Sequence, residues 1–415
     1  MARNRLRVFH TADWHLGQRF NLQDRHAEHE RFLAFLLEQI EARRPDLLIV
    51  AGDVFDTSNP VQTAQQQYYQ FLARLVGSPL RQTLIVAGNH DSPRFLDAPR
   101  ELLAALSIRV VGFAPEDPAQ CVYTLTDRAT GRPLARVGAV PFLRDADVRR
   151  SFEAESHHEA SQRLVAGIAN YYRLVGNALA EGPPEVPALV TGHLFAQGLD
   201  FEESDEVIHV GNQGRVPASA FPDAAYVALG HIHRPQAVAG LEHIRYSGSP
   251  IPLSFSEANQ QKYLIELEFD GPELAAVHPI AIPPSRRLLR LKADTPEQLA
   301  QALEAIGPRP SDLPDWLEVS LSRLPESTYW REQLDETATR AGAVLHSCPL
   351  EGTAHTISWS TTDEGSDTGL DQLTPERVFE ELYRSRYPDE ELPEELRIAF
   401  LEVMDAVLRG ENLPA

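Results

Sequence analysis

Five short apolar runs in this chain each end in residues suited to binding metals. Arg7–Thr11 leads into Asp13-Trp14-His15, Leu47–Ala51 into Gly52-Asp53, and Leu84–Ala87 into Gly88-Asn89-His90-Asp91. Leu189–Thr191 leads into Gly192-His193, and Tyr226–Leu229 into Gly230-His231-Ile232-His233. The runs are rich in Val, Ile and Leu and stop abruptly at polar residues, as buried strands do. A lone histidine at a strand end is usually a hydrogen-bonded structural residue. Five such endings in one domain require another account. In open α/β sheets, ligands gather in the crevice beyond the carboxyl ends of the strands. Loops from that edge would bring these residues together.

The residue types define the chemistry. Imidazole nitrogen combined with carboxylate and amide oxygen suits Mn, Fe or Zn better than Ca or Mg alone. Seven such side chains exceed what one ion with an open position can use. Two ions bridged by one carboxylate would use them all, and such a pair clamps a phosphate and activates a water. Glycine precedes the ligand at four of the five endings and permits tight turns and close backbone approach. In Asp13-Trp14-His15, strand alternation is expected to turn Trp14 away, so that the flanking residues share one ion.

Around these endings, strands alternate with helical stretches, which predicts an α/β layered domain. An amphipathic helix over Asp24–Arg43 places Phe32, Leu33, Leu36, Leu37 and Ile40 on one face. Pro283-Pro284 marks a boundary. Beyond it come a strand at Arg287–Lys292, a helix at Thr295–Ile306 with Thr295 as N-cap and Pro296 at N1, and a strand at Trp316–Leu321. A helix at Ser327–Ala341 and a strand at Val344–Cys348 complete a small β-α-β-α-β unit. Ser358–Gln372 reads as a linker. Two helices follow, from Thr374 and over Glu394–Arg409, with apolar stripes Val378, Phe379, Leu382, Tyr383 and Leu396, Phe400, Val403, Met404, Val407. Either they pack as a hairpin on their own domain, or they form an arm that docks on a partner. The domain expectation is therefore 1–282 for the main domain, 285–357 for the small α/β domain, 358–373 for the linker and 374–410 for the helical segment.

Charge and targeting signals narrow the function. No apolar run approaches the roughly 20 residues needed to span a bilayer. The N-terminus lacks the apolar core and cleavage site of a signal peptide, so a cytoplasmic location is expected. Cys121 and Cys348 alone can build neither a disulfide framework nor a Cys-based zinc site, and read as buried free thiols. The net charge of −22 sits poorly with DNA binding, although the tail from Asp363 carries 15 acidic against 5 basic residues. Metals supply positive charge locally, a partner supplies a basic surface, or the substrate is not a polymer.

The motif set of Asp13, His15, Asp53, Asn89, His90, Asp91, His193, His231 and His233 resembles that of the calcineurin-like metallophosphoesterases. The stretches His10–Gly17, Val50–Asp56, Ala228–Arg234 and Tyr246–Phe255 are similar to those of the bacterial nuclease subunits within that family. The likeness covers nearly the whole chain, more strongly through Glu268 than after it. It implies a four-layer α/β/β/α sandwich with a small α/β capping domain and a C-terminal helical hairpin. It implies one metal held by Asp13, His15 and His233 and a second by Asn89, His193 and His231, with Asp53 between them. His90 would act on the phosphate or the leaving 3′ oxygen rather than ligate. Asp91 would orient His90 or its loop, and Asp56 would act in catalysis or support the ligands.

The resemblance further implies two divalent ions, Mn2+ or in part Mg2+. The implied activity is 3′-to-5′ exonuclease action on double strands and endonuclease action on single strands and hairpins, in DNA end processing, repair, recombination and replication. The partners implied are an SbcC-type ATPase in a two-plus-two assembly, DNA ends and hairpins, and a second copy of the chain, with location at the nucleoid. A hydrolase of nucleotides or other small phosphoesters, and a non-catalytic scaffold, are the rival readings.

Other residues receive structural roles. His26 and His29 on the first helix are expected to face solvent. His157, His158, His209, His243, His278, His346 and His355 lack a ligand-like context. The mixed-charge run Arg144–Arg150 either touches DNA or forms a solvated face. Helices over Gln62–Leu75 (Tyr68, Phe71, Leu72, Leu75) and Pro99–Leu106 (Leu102, Leu103, Leu106) serve either a dimer interface, as the resemblance implies, or the core.

Overall fold

The computed structural model describes residues 5–20, 23–127, 130–148, 157–199, 215–307, 312–322 and 329–349, with a few single positions beyond. The chain divides into two compact units, Met1–Thr353 and Ala354–Ala415. In the first unit, one six-stranded sheet runs in the order Glu273–Ala281, Tyr263–Asp270, Arg5–Thr11, Leu47–Ala51, Gln82–Val86, Ile108–Val111. Its last four strands are mutually parallel. A second six-stranded sheet runs Gln236–Val238, Leu241–Tyr246, Tyr226–Gly230, Ala188–His193, Pro133–Ala139, Val122–Thr126. Its central four strands are also parallel.

Strand alternation explains the layering. Leu6, Val8, Leu47, Ile49, Leu84 and Val86 point to one side and pack on Val137, Leu189, Tyr226 and Ala228 of the second sheet. Phe9, Leu48, Val50 and Ile85 point to the other side and meet the helices His26–Arg43 and Gln62–Leu75. The helix His157–Ala180 covers the outer face of the second sheet through Leu164, Ile168, Tyr172 and Val175. The result is a four-layer α/β/β/α sandwich. Parallel strands covered on both faces must be apolar on both faces, which is why the runs read as continuous rather than alternating.

A three-stranded parallel sheet, Leu288–Lys292, Asp315–Ser320 and Ala343–Ser347, carries the helices Pro296–Ile306 and Trp330–Arg340. It has its own apolar core around Leu299, Leu317, Val319, Leu334 and Ala338. Trp316 faces the sandwich instead, stacked on Phe20 at 5.4 Å with 12° between the rings. Arg286 lies 3.9 Å from the Trp316 ring centroid. In the second unit, the linker expected at 358–373 lies outside the described residues, as does most of 374–410. Of the expected hairpin, Phe379 and Phe400 are helical, and their rings stack at 4.1 Å and 4°.

Some expectations change. His29 is fully buried, not solvent-facing, while His26 is exposed as expected. The apolar stripe of that helix includes a buried polar edge of Glu28 and His29, with Arg25 buried just before it, which apolar periodicity does not reveal. Burial, then Arg25, pushes His29 down to about 3. Tyr68, Phe71, Leu72, Leu75 and Leu103 are core residues. Tyr69, Val76, Leu102 and Leu106 on the same two segments are exposed. The second segment is a six-residue helix, Arg100–Ala105, preceded by a five-residue helix, Pro93–Asp97. No described helix is long and apolar enough to cross a membrane.

Candidate metal centre

The strand Arg5–Thr11 stops before its ligands begin, and the loop that follows has an unusual backbone. Asp13, His15, Asp53 and His231 have φ of 52°, 47°, 47° and 106°. Non-glycine residues there cost on the order of 1–3 kcal/mol each and persist only where neighbours over-determine them. Crossed loops do so here. Asp13 N donates to Gly52 O, His15 N to Asp53 O and Leu16 N to Val54 O, at 3.0, 3.0 and 2.9 Å. The buried Asp91 carboxylate accepts from Val54 N, Phe55 N and Gly88 N at 3.1, 2.9 and 2.8 Å. Trp14 does turn away from its neighbours, but the two left-handed turns flanking it achieve this, not strand alternation. Its ring is buried against Phe32 and Phe71, and its Nε1 donates to Thr11 Oγ1 at 3.1 Å.

These loops bring the strand-end residues of both sheets into one pocket. Asp13, His15 and His233 form one compact group of potential ligand atoms, and Asp53, His193 and His231 another. Asp53 Oδ2 lies 3.6 Å from His15 Nε2 and 3.2 Å from His193 Nε2, so one oxygen faces both groups. Asn89 Oδ1 lies 2.9 Å from both His193 Nε2 and His231 Nδ1. Close approach of the sheets depends on glycine. A Cβ on Gly52, whose φ is 89°, would strike the His193 ring, and one on Gly88 would strike the Asp53 carboxylate.

The residues fit divalent cations. Asp13 Oδ2 and His15 Nε2 are buried without a hydrogen-bond partner. His193 Nδ1 lies 2.9 Å from the Ala51 carbonyl, which can only accept, so Nδ1 carries the proton and Nε2 is free to ligate. Burial alone would depress His15 and His193, yet the Asp56 hydrogen bond with Asp53 for His15, and Asp53 with Asp13 for His193, push both up to about 9. Burial raises Asp13, while it pushes His231 down to about 3 with His193 adding to the effect. The pocket is thus short of positive charge, and ligating a cation meets that need.

A family model described as "Calcineurin-like phosphoesterase" matches residues 6–235, which contain all of these groups. The chain belongs to that family. This calcineurin-like chain is 34% identical over 391 residues to SbcD of the nuclease SbcCD from Escherichia coli (strain K12), covering 94% of each chain. It is 35% identical over 388 residues to the protein of the same name from Rhodobacter capsulatus, covering 90% of this chain and 93% of that one. With the Bacillus subtilis protein of that name it shares 30% identity over 297 residues, 69% of this chain and 72% of the other. Membership makes it a phosphoester hydrolase of a family that uses divalent metals.

Around the ligands of this calcineurin-like site, the other predicted residues take distinct places. His90 sits at the pocket rim, its Nδ1 donating to Asp56 O at 2.8 Å and its backbone N to Asp53 Oδ1 at 2.9 Å. Asp56 contacts His15 Nδ1 through Oδ1 at 3.2 Å. One residue therefore positions two histidines. Asp91 is buried beneath the loop, bonded to backbone rather than to the His90 ring, and burial then Asp53 push it up to about 6. His10 is a satisfied core histidine between Tyr226 Oη and Leu229 O. Sequence reading missed Glu257, whose Oε1 lies 3.4 Å from His233 Nδ1. The only sequence signal was its place two residues beyond the Tyr246–Phe255 stretch.

Proposed function

We propose that this chain is the metal-dependent nuclease subunit of an SbcCD-type complex, hydrolysing DNA phosphodiesters. The observation that carries this reading is the Asp53 carboxylate facing both ligand groups at the meeting point of the two sheets. Asp13, His15 and His233 would hold one divalent ion and Asn89, His193 and His231 the other, with Asp53 shared. We assign Mn2+ to the pair on ligand chemistry. Bound there, the ions supply a lowered water pKa and charge stabilisation for the phosphate oxygens.

The protein's own groups do the rest. Because Nδ1 of His90 is committed to the Asp56 carbonyl, Nε2 is the atom left for substrate. In its protonated form, Nε2 donates to a phosphate oxygen or to the departing 3′ oxygen, a role for which imidazole is suited. Asp91 holds the loops carrying Asp53 and His90 in register. We assign 3′-to-5′ digestion of double strands and cleavage of single strands and hairpins on the family resemblance of the site motifs. An SbcC-type ATPase docked on the 374–410 segment, and a second copy of this chain, would supply the basic surface that a chain of net charge −22 lacks. Match over 94% of the chain, well beyond the phosphoesterase domain, disfavours a small-phosphoester hydrolase.

The test is Mn2+-dependent cleavage of end-labelled hairpin DNA, beside a small phosphodiester, with and without the ATPase and ATP. His90→Ala should lower DNA cleavage about 10²–10⁴-fold while both Mn2+ equivalents still bind. Fast turnover of the small ester with intact DNA would overturn the nuclease reading.

A further inference from the structure

We infer that Glu257, clamped by Lys262, is a positioning residue for His233 and selectively sets the affinity of one metal site. This rests on the two-metal reading above. Glu257 closes a single 3-10 turn, Phe255–Glu257, and is buried. Its two oxygens have separate partners. Oε2 accepts from Lys262 Nζ at 2.5 Å, Leu253 N at 3.2 Å and Ser249 Oγ at 3.4 Å. Those three contacts fix the carboxylate and leave Oε1 facing His233 Nδ1 at 3.4 Å.

The same group of residues also holds the His233 backbone. Lys262 Nζ donates to His233 O at 3.0 Å, and Ser249 N donates to it at 3.1 Å. Lys262 is itself buried, at 3% exposure, where an ammonium persists only if its charge is matched. Side chain and backbone of His233 are therefore both anchored on one buried ion pair. A carboxylate behind the distal nitrogen of a ligating histidine fixes its tautomer and ring orientation and raises its basicity. His233 belongs to the Asp13 and His15 group. His193, in the other group, is backed by the neutral Ala51 carbonyl instead. Loss of the Glu257 charge should thus weaken one site and spare the other.

Glu257→Gln keeps the shape and an acceptor for Lys262 but removes the charge. Mn2+ titration followed by electron paramagnetic resonance should show one equivalent weakened about 10- to 100-fold and the other unchanged. In a His233→Ala background, Glu257→Gln should have no further effect, which separates positioning from a fold defect. Glu257→Asp should recover part of the lost affinity. Two equivalents of unchanged affinity, equal weakening of both, or an undiminished effect in the His233→Ala background would overturn the inference. A wild-type chain taking up no Mn2+ would instead overturn the two-metal reading, and this inference with it.

Discussion

The metal pocket and the small three-stranded sheet follow opposite rules. In the sheet, local preference and final structure agree. Thr295 caps the helix Pro296–Ile306 by accepting from Gln298 N at 3.3 Å, proline occupies its first turn, and the core is apolar except for the buried Thr337. In the pocket, four candidate ligand residues adopt positive φ, charged groups are buried, and the backbone is held by crossed loops. Strain and buried charge cluster where chemistry is done, and regular packing elsewhere offsets them. Phe20 and Trp316 join the two regions, since Phe20 lies just beyond His15 and Trp316 on the sheet.

The sharpest test of the pocket is Asp53→Asn. Because this oxygen faces both ligand groups, activity should fall about 10³-fold or more, and both Mn2+ equivalents should weaken together, unlike Glu257→Gln. Weakening of one equivalent alone would remove Asp53 from its shared position. At the junction, Trp316→Ala should destabilise by about 3–5 kcal/mol in urea unfolding. Mn2+ affinity should be retained. Loss of metal binding would show that the sheet and the pocket are one cooperative unit.

Acid should act more strongly on the sandwich than on the small sheet, where burial, then Arg286, pushes the half-buried His346 down only to about 4. Burial, with Leu229 opposing and Arg245 adding a smaller effect, pushes His10 down to about 3, and His29 is pushed down to about 3 as well. Both stay neutral in the fold while the unfolded chain takes up protons below about 6.5. Their contribution is complete above that pH and is lost as pH falls toward 3, at up to about 1.4 kcal/mol per pH unit for each group. Melting of metal-free protein from pH 7 to 4 checks this, and His10→Gln should flatten the slope. The smallest effect belongs to Thr295→Ala, about 1 kcal/mol from the lost cap, read by thermal unfolding with activity unchanged.

How much was legible from the sequence differs by residue. The potential donor residues could be read because donor chemistry is a property of residue type, and their grouping because parallel strands end at a common edge. Strands and helices of the small unit could be read to within a few residues. The turning away of Trp14 was expected for the wrong reason, since the strand had already ended. His29 was misplaced because a single buried polar residue leaves no trace in apolar periodicity. The clamp of Glu257 and Lys262 was invisible, because its partner His233 lies 24 residues earlier along the chain.

By itself, then, the sequence determined the strand-end donor residues and the layered α/β class. Only the tertiary structure decided that Asp53 faces both ligand groups, that Asp91 clamps backbone, and that Glu257 backs His233. Local pattern records which donors a chain owns and which strand end they occupy. Which donors meet depends on two sheets packing face to face, and that packing is set by many apolar contacts distant in sequence.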